Sequence, residues 1–331
     1  MKTYNIAGIG NAVVDVITTV DDRFLDRMDI HKGIMQLIER ARAETLYDAM
    51  TDRAQASGGS VANTLAGAGK LGLKAAFVGR VNDDDLGRFY AQDTEAAGTR
   101  FVNAPVAGGE LPSSRSMIFV TPDGERSMNT YLGISAELGP EDVDESVMAD
   151  SEIVFLEGYL FDKDKGKDAF LKAARACRGA GGKAGIALSD PFCVDRHRAD
   201  FRDLVANHMD YVIGNEQEWV SLYQANDLDD ALAQAVRDCP LVVCTRSGDP
   251  VWICAQGRKL EIPVTRAVPV DATGAGDQFA AGFLYGLATG RDLETAGRMG
   301  VIAASEVISH IGARPKTDLR AAFRRAGLIG A

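Results

Sequence analysis

The feature that most constrains the fold is a series of short apolar segments in the second half of the chain, several of them separated by stretches with helical patterns. The segments occupy residues 153–159, 184–188, 211–213, 241–244 and 251–253. Strands that alternate with helices form an open, largely parallel sheet, because each helix returns the chain across one face of that sheet. The pattern therefore predicts an α/β fold with a mainly parallel central sheet and helices on both faces.

Polar residues follow two of these segments where each strand is expected to end. Asn215 comes just after the third segment, and Thr245 comes directly after the fourth. In open α/β sheets, ligands bind in the crevice at the carboxyl ends of the strands. We therefore expect Asn215, Thr245 and the later residue Asp277 to line one cleft.

A glycine-containing loop that leads into a helix lies in residues 270–283. Phe279 and Phe283 are four residues apart, which is the spacing of a helix face packed on a core, and Gly290 is the expected stop. The start of such a helix presents free backbone N–H groups and the positive end of its dipole, so it binds phosphate. The sequence predicts that the backbone from Gly274 through Ala275 to Gly276 holds an anion.

Asp277 is the unusual residue of this loop, because a carboxylate would repel a phosphate that was merely bound there. Its presence is explained if it takes a proton from an attacking hydroxyl beside the phosphate being transferred. The alternative is that Asp277 caps the helix N-terminus, which is a common role of aspartate. The loop alone leaves both interpretations open.

A second glycine motif begins at residue 57. The pair Gly58–Gly59 forms a turn, a helix starts near Ser60, and Gly72 is expected to end it. Asn63 lies in the first turn of that helix, where it faces whatever occupies the loop. From the residues alone, the motif indicates a tight turn followed by a helix cap.

Charge and composition limit the kinds of partner that the protein is expected to bind and the compartment in which we expect it. The chain has 331 residues and a formal net charge of -11, which argues against a nucleic acid or an anionic membrane as partner. Its five cysteines form no C-x-x-C pair, and its four histidines show no metal-ligand spacing. No stretch of about 20 apolar residues and no signal peptide is found, so we expect a cytoplasmic protein, either a monomer or a homodimer.

Two nucleotide-binding motifs are excluded. Residues 8–13 begin like a dinucleotide fingerprint, but Val13 stands where the third glycine is needed and β-like sequence continues where a helix should open. The phosphate-loop pattern G-x-x-x-x-G-K-S/T does not occur in the chain. The protein is therefore neither a Rossmann dehydrogenase nor a P-loop kinase.

Residues 271–279, D-A-T-G-A-G-D-Q-F, closely resemble the C-terminal signature D-T-x-G-A-G-D-x-F of the PfkB (ribokinase-like) carbohydrate and nucleoside kinases. Residues 58–87 resemble the N-terminal signature of the same family. The chain departs from the family pattern at four positions, which are Ala272, Asn82, Ser114 and Pro250. The resemblance covers nearly the whole chain and implies one ribokinase-like domain, residues 1–331, with a small β-sheet lid whose strands are inserted at about 12–38 and 112–133.

The resemblance also implies site residues. The acceptor would be bound by Asp15, Gly58, Gly59 and Asn63, and Asp277 would be the general base. The implied ATP-binding residues are Asn215, Thr245, Ser247, Gly248, Gly274 and Gly276. Glu218 would help to hold Mg²⁺ through water, and Asp271 would contact a monovalent cation such as K⁺; the alternative for Asn215 and Glu218 is an ordinary helix cap.

The resemblance implies an ATP-dependent phosphotransferase that moves the γ-phosphate of ATP to a primary hydroxyl of a nucleoside or sugar. Residues 32–37, 59–64 and 128–133 look like adenosine kinases, which ranks adenosine first, with AMP as the product. The alternative is a sugar kinase that acts on ribose, fructose or 2-keto-3-deoxygluconate. A family member that binds ligand without turnover is the third interpretation.

Overall fold

The structure is a computed structural model that describes residues 2–264 and 267–330, leaving out the side chain of Asp162. Its strands, in chain order, are β1 (Tyr4–Ile9), β2 (Val13–Thr19), β3 (Met35–Leu37), β4 (Ala54–Gly58), β5 (Ala75–Val78), β6 (Thr99–Phe101), β7 (Ser114–Val120), β8 (Arg126–Tyr131), β9 (Ser151–Glu157), β10 (Lys183–Ala187), β11 (Tyr211–Asn215), β12 (Leu241–Arg246), β13 (Asp249–Ala255) and β14 (Arg258–Ile262).

The α-helices, in chain order, are α1 (Asp22–Arg27), α2 (Arg40–Ala49), α3 (Ser60–Lys70), α4 (Asp85–Ala96), α5 (Glu145–Ala149), α6 (Asp164–Gly179), α7 (Pro191–Arg196), α8 (Arg198–His208), α9 (Glu216–Tyr223), α10 (Leu228–Asp238), α11 (Ala275–Ala288), α12 (Leu293–Val307) and α13 (Leu319–Arg325). Short 3-10 helices span Gly133–Glu137, Pro140–Asp142 and Gly158–Asp162. Among the described helices, none combines the length and the apolar content that crossing a bilayer requires.

The larger sheet has nine strands in the order β14-β13-β12-β11-β10-β9-β1-β5-β6. All neighbours from β12 to β6 pair in parallel, which confirms the mainly parallel sheet predicted from the sequence. The edge is different, because β12, β13 and β14 pair antiparallel. Only the two residues Ser247 and Gly248 separate β12 from β13, which is too short for a parallel crossover.

Helices cover both faces of this sheet, as predicted. Along β9, Ile153 and Phe155 join one hydrophobic core, while Val154 and Leu156 join the other. This follows from the alternation of side chains along a strand. The first core includes buried side chains of α3, α11, α12 and α13, and the second includes those of α6, α8, α9 and α10. The strand order turns outward in both directions from β1, so the crevice at the carboxyl ends of β1 and β9 is the expected ligand site.

A smaller sheet of five strands, in the order β3-β8-β7-β2-β4, forms the lid. Four of its strands lie within the two segments expected for a lid, and β4 was not predicted. Helices α1 and α2 cover one face of the lid, where the rings of Phe24 and Phe119 lie 5.4 Å apart. The opposite face is therefore the one left for a ligand.

Candidate active site

The N-terminus of α11 has the geometry of an anion site. Gly274 is the N-cap residue and has a φ of 80°, and an added Cβ would lie 2.7 Å from Ala313. An added Cβ at Gly276 would meet nothing within 4 Å, so packing does not require glycine there. Of the three predicted donors, the Ala275 N–H already donates to the Ala272 carbonyl oxygen at 3.2 Å. Open space and a helix start therefore coincide at Gly276, while Gly274 is required by its backbone conformation and by Ala313.

Asp277 lies in the first turn of α11 and is held by two side chains of α3. The Ser60 hydroxyl donates to Oδ1 at 2.7 Å, and Asn63 Nδ2 donates to Oδ2 at 3.2 Å. Burial raises the pKa of Asp277 to about 6, and these two hydrogen bonds oppose that rise. The N-cap position belongs to Gly274 and shows no side-chain cap, so Asp277 does not serve as the helix cap.

The two glycine motifs meet because α3 and α11 pack closely. An added Cβ at Gly67 would lie 2.2 Å from Gln278 and 2.8 Å from Ala281. The Thr64 hydroxyl donates to the backbone oxygen of Asp277 at 3.1 Å. Only a residue without a side chain at position 67 lets the helices approach this far, which brings the N-terminus of α3 beside that of α11.

The loop ahead of α3 is shaped for close backbone approach. Gly58 ends β4, and Gly59 follows with a φ of 100°. An added Cβ at Gly59 would lie 2.2 Å from the Asn11 carbonyl oxygen, and one at Gly58 would lie 2.7 Å from the carboxylate of Asp15. The structure therefore brings the predicted acceptor residues Asp15, Gly58 and Gly59 together.

Asp15 projects from β2 of the lid into this cleft. Burial raises its pKa to about 6, while the positive charges of Arg126 and Arg314 oppose the rise and the charge of Asp277 adds to it. The negative charge of Asp277 therefore reaches Asp15 across the site. Asp15 and Asp277 are more than 250 residues apart in the sequence, but the fold brings them close enough for their charges to interact.

Glu157 is a site residue that the sequence reasoning missed. It ends β9 and is buried, and its Oε1 accepts hydrogen bonds from Asn11 N at 2.7 Å and Asn11 Nδ2 at 2.9 Å. Its Oε2 accepts from the backbone N–H of Val61 at 3.0 Å. Burial raises the pKa of Glu157 to about 7. A carboxylate directly after the apolar run of residues 153–156 was the available signal.

The ligand-facing side of the lid follows from strand register. Asp15 pairs with Ser116, Ser116 with Thr130, and Thr130 with Leu37, so these four residues form one row on one face. Leu37 is 54% exposed, and Met35, two residues away on the same face, is 44% exposed. A polar row that begins at Asp15 therefore ends in an open apolar edge.

Arg126, also missed from the sequence, lies on that same face of β8. Its Nη1 lies 2.6 Å from Oδ2 of Asp271, and both side chains are under 10% exposed. Asp271 further accepts from the backbone N–H groups of Thr273 and Gly312 at 2.9 Å each. The carboxylate predicted to contact a monovalent cation thus already has a positively charged partner.

The predicted ATP-side residues lie at the ends of β11 and β12. Asn215 is in register with Thr245, and Ser247 has a φ of 54° in the turn that follows. Asn215 caps α9, accepting from the Glu218 N–H at 2.9 Å, while Glu218 accepts from Asn215 N and Nδ2 at 2.7 and 2.8 Å. The helix-cap interpretation of this pair is therefore true, and burial raises the pKa of Glu218 to about 7.

Tyr159 is a partly buried residue close to several of the site carboxylates. Its hydroxyl donates to the Ser189 carbonyl oxygen at 3.0 Å. Burial raises its pKa, and so do the nearby charges of Asp190, Asp277 and Glu218. Tyr159 is therefore within electrostatic range of both the predicted base, Asp277, and Glu218, which is predicted to act on Mg²⁺.

The residues predicted to act on Mg²⁺ can do so only through water. Within residues 2–264 and 267–330, no three His, Cys, Asp or Glu side chains cluster in a way that could hold a metal ion. Both carboxylate oxygens of Glu218 accept hydrogen bonds from Asn215. Mg²⁺ keeps several water ligands when it binds phosphates, so these residues would act on it through water.

Comparison with known proteins agrees with this geometry. Residues 33–319 match the family model described as pfkB family carbohydrate kinase. The crystal structure of a probable sugar kinase protein from Rhizobium etli CFN 42 superposes with a TM-score of 0.91 and 45% identity, covering 99% of this chain and 100% of that chain.

An adenosine kinase is equally similar in sequence. The crystal structure of adenosine kinase from Sinorhizobium meliloti superposes with a TM-score of 0.88 and 45% identity over 98% of this chain and 99% of that chain. The 5-dehydro-2-deoxygluconokinase of Halalkalibacterium halodurans is 29% identical over 262 residues, 76% of this chain and 79% of that protein. These similarities show that the fold is ribokinase-like.

Proposed function

Because the chain belongs to the pfkB family of carbohydrate kinases and is a kinase, we propose that it transfers the γ-phosphate of ATP to a primary hydroxyl of a nucleoside, with adenosine as the acceptor and AMP as the product. The observation that carries the proposal is the pairing of Asp277 with an open helix N-terminus. A base and a phosphate-binding backbone then lie side by side, which phosphoryl transfer requires.

The mechanism assigns each role to a described group. Asp277 accepts the proton of the attacking hydroxyl, and Ser60 and Asn63 hold its carboxylate in place by hydrogen bonds of 2.7 and 3.2 Å. The N–H groups of Gly274 and Gly276, with the positive end of the α11 dipole, stabilise the charge of the moving phosphoryl group. Asn215 and Glu218 would hold Mg²⁺ through water, and the ion would there supply positive charge to offset that of the phosphates.

The acceptor is proposed to lie between the α3 loop and the lid. Asp15 binds hydroxyls of the sugar, with the backbone of Gly58 and Gly59 beside it. The exposed side chains of Met35 and Leu37 lie on the same lid face, at the far end of the row from Asp15. A lid face with a hydroxyl-binding carboxylate at one end and apolar side chains at the other suits a molecule with a sugar at one end and an aromatic base at the other.

The charges of the pocket residues favour an uncharged acceptor. The pocket carboxylates include Asp15, Asp277 and Glu157, and the nearby arginines are already paired, Arg126 with Asp271 and Arg314 with Asp93. A sugar acid such as 2-keto-3-deoxygluconate would bring a further negative charge into this pocket. We therefore rank adenosine above sugar acids as the acceptor.

A sugar kinase is the second candidate. The 45% identity to a probable sugar kinase protein and the family description itself favour it. Ribose and fructose are neutral polyols that Asp15 and the Gly58–Gly59 backbone would bind equally well. The exposed lid edge has no evident use with such small acceptors, which is why they rank second.

The test is ADP release from Mg-ATP in the presence of adenosine, inosine, ribose, fructose, 2-keto-3-deoxygluconate or 5-dehydro-2-deoxygluconate. We expect turnover with adenosine and a loss of at least ~100-fold in kcat for Asp277→Asn, the lower range for a general base. Asp85→Asn, at an exposed position of α4, is the matched control. Turnover with a sugar but not with adenosine would identify the acceptor as a sugar and leave the proposed mechanism unchanged.

Two further outcomes are informative. An unchanged kcat in Asp277→Asn would show that Asp277 is not the general base. Binding of ATP without turnover of any acceptor on the panel would favour a family member that binds ligand without catalysis, or an acceptor of a different class.

A further inference from the structure

Arg314 reaches the acceptor pocket from a part of the chain that the family signatures do not include. It lies in the loop between α12 and α13, and its side chain is 20% exposed. Its Nη2 donates to the Ser57 hydroxyl at 2.7 Å, its Nη1 lies 3.4 Å from Oδ2 of Asp93, and its Nε donates to Oδ1 of Asn63 at 3.3 Å. One guanidinium thus connects the C-terminal loop, α4 and the start of α3.

The contact with Asn63 has a consequence for Asp277. The Asn63 amide has an acceptor oxygen at one end and a donor nitrogen at the other. Arg314 binds the oxygen end, and the nitrogen end donates to Oδ2 of Asp277 at 3.2 Å. A guanidinium only donates, so it can bind the amide in one orientation alone, and that orientation directs the amide nitrogen at the carboxylate.

The loop that carries Arg314 is itself anchored. Glu306 accepts from the backbone N–H groups of Lys316 at 3.0 Å and Thr317 at 2.8 Å, and its Oε1 lies 3.3 Å from the His310 ring. Gln278 donates to the Ala313 carbonyl oxygen at 3.0 Å, directly beside Arg314. Because both ends of the loop are fixed, the guanidinium is held in place from outside the pocket.

We propose that Arg314 is a positioning residue for phosphoryl transfer, which orients the amide of Asn63 so that Asn63 fixes and tunes the carboxylate of Asp277. This inference rests on the proposed role of Asp277 as the base. Arg314 touches no reacting atom in this scheme, and its three contacts are all with protein groups. It acts because an amide turned by half a revolution would present its oxygen to the carboxylate and repel it.

The charges around Asp277 come from several elements. Asp15 of β2, Glu157 of β9 and Tyr159 are within its electrostatic range, and Arg126 and Arg314 lie near Asp15. Of the contacts that lower the pKa of Asp277, the hydrogen bond from Asn63 is the one that Arg314 controls. Losing that bond should therefore raise the pKa of Asp277, and a substitution at position 314 that keeps the positive charge tests this bond apart from the charge effect of Arg314 on Asp15.

Two substitutions separate orientation from charge. Arg314→Met removes both the donors and the charge, while Arg314→Lys keeps the charge near Asp93 and Ser57 but has no planar fork to hold the Asn63 oxygen. Arg325→Met, at an exposed position at the end of α13, is the control. We expect both Arg314 variants to lower kcat/KM for the acceptor by about 10- to 100-fold, the range for a hydrogen bond to a charged group.

The decisive readout does not depend on turnover. The side-chain amide of Asn63, observed with ¹⁵N-labelled asparagine and assigned by its loss in Asn63→Ala, reports the ionisation of Asp277 as pH is changed. We expect a midpoint near pH 6 in the wild type and a midpoint about one pH unit higher in Arg314→Lys, the size expected for one lost hydrogen bond to a carboxylate. A midpoint that stays at the wild-type value in Arg314→Lys would overturn the proposal.

A double substitution gives the second test. If Arg314 acts through Asn63, Arg314→Met combined with Asn63→Ala should lower kcat/KM no further than Asn63→Ala alone, within about threefold. Losses that multiply would show that Arg314 acts on its own and would overturn the proposal. If Asp277 is not the base, the midpoint of the amide titration still shifts in Arg314→Lys, but kcat/KM does not change with it. Failure of the proposed function can therefore be distinguished from failure of the role assigned to Arg314.

Discussion

The guanidinium of Arg126 lies 2.6 Å from the carboxylate of Asp271 and joins the lid to the loop ahead of α11. Both side chains are under 10% exposed, so this ion pair is shielded from solvent and salt. Removing one partner of such a pair leaves a buried charge without compensation. We therefore expect Arg126 to affect the stability of the contact between the lid and this loop, and any response of the kinase to monovalent cations.

We predict that Arg126→Met lowers the free energy of unfolding by about 3 kcal/mol, the low end for breaking a buried ion pair. Chemical denaturation measures it. Arg88→Met is the matched control, because Arg88 pairs with Asp83 and Asp85 at the exposed start of α4 and should change stability by less than about 1 kcal/mol. Equal losses in the two variants would contradict the importance of the lid contact.

The same pair bears on K⁺. The family resemblance assigns a monovalent cation to Asp271, yet Arg126 already supplies a positive charge there. We expect replacement of K⁺ by tetramethylammonium to change wild-type kcat by less than about threefold, and to lower it further in Arg126→Met, where a cation would be the remaining counter-charge. A strong K⁺ requirement in the wild type would show that Asp271 serves the cation despite Arg126.

Acidification should inactivate the kinase. Asp277 must be ionised to accept a proton and Asp15 must be ionised to accept hydroxyl donors, and burial raises the pKa of each to about 6. Log kcat/KM for the acceptor should therefore fall below about pH 6 with a slope between one and two, because two carboxylates with similar pKa values must both be ionised. Rates measured from pH 5 to 8 with saturating ATP check this, and a flat profile to pH 5 would exclude both roles.

Glu157 should make stability depend on pH. Its folded-state pKa of about 7 lies above the ordinary value of 4.5, so the folded protein holds the proton more tightly than the unfolded chain. The stability of the wild type relative to Glu157→Gln should thus fall by about 3 kcal/mol as pH rises from about 4.5 to above 7. Denaturation at several pH values measures it, with Glu95→Gln on the exposed side of α4 as the control.

The two glycines of α11 should respond differently to alanine. Gly274→Ala meets both a φ of 80° and Ala313 at 2.7 Å, so the melting temperature should fall. Gly276→Ala meets nothing within 4 Å, so stability should be kept while the methyl group occupies the proposed phosphate space. We expect a loss of kcat of about 10-fold or more in the second variant. Full activity of a folded Gly276→Ala would argue against an anion site here.

The lid edge offers a test of acceptor class. Leu37→Ser removes an exposed apolar side chain, so stability should change little, whereas KM for adenosine should rise by about 10-fold through lost apolar burial. KM for ATP should stay the same. Val236→Ser, at an exposed position on α10, is the control. An unchanged KM for adenosine would favour a small polyol as the acceptor.

The sequence predicted what depends on local pattern. The β/α alternation, the helix after Gly274 and the kinase family were all confirmed. The antiparallel pairing of β12, β13 and β14 was not predicted, because the alternation of strands and helices favours parallel pairing. The short turn at Ser247–Gly248 was the sign that the edge differs. The assignments on the ATP side, at Asn215, Thr245, Ser247 and Gly248, stay predictions.

The missed site residues depend on contacts between distant parts of the chain. Arg314 lies 251 residues from Asn63, and Asn11 lies 146 residues from Glu157. No periodicity or motif marks an arginine as the partner of an amide so far away. Burial of a carboxylate such as Glu157 is likewise a property of the packed sheet, which local sequence does not encode.

The close packing of α3 on α11 has a consequence for how the protein is made. The acceptor loop at Gly58 and Gly59 emerges from the ribosome early, but Asp277 and Arg314 are synthesised more than 200 residues later. The incomplete chain therefore carries the acceptor loop without the proposed base or the guanidinium that orients Asn63. The proposed catalytic groups are therefore complete only when synthesis is nearly finished.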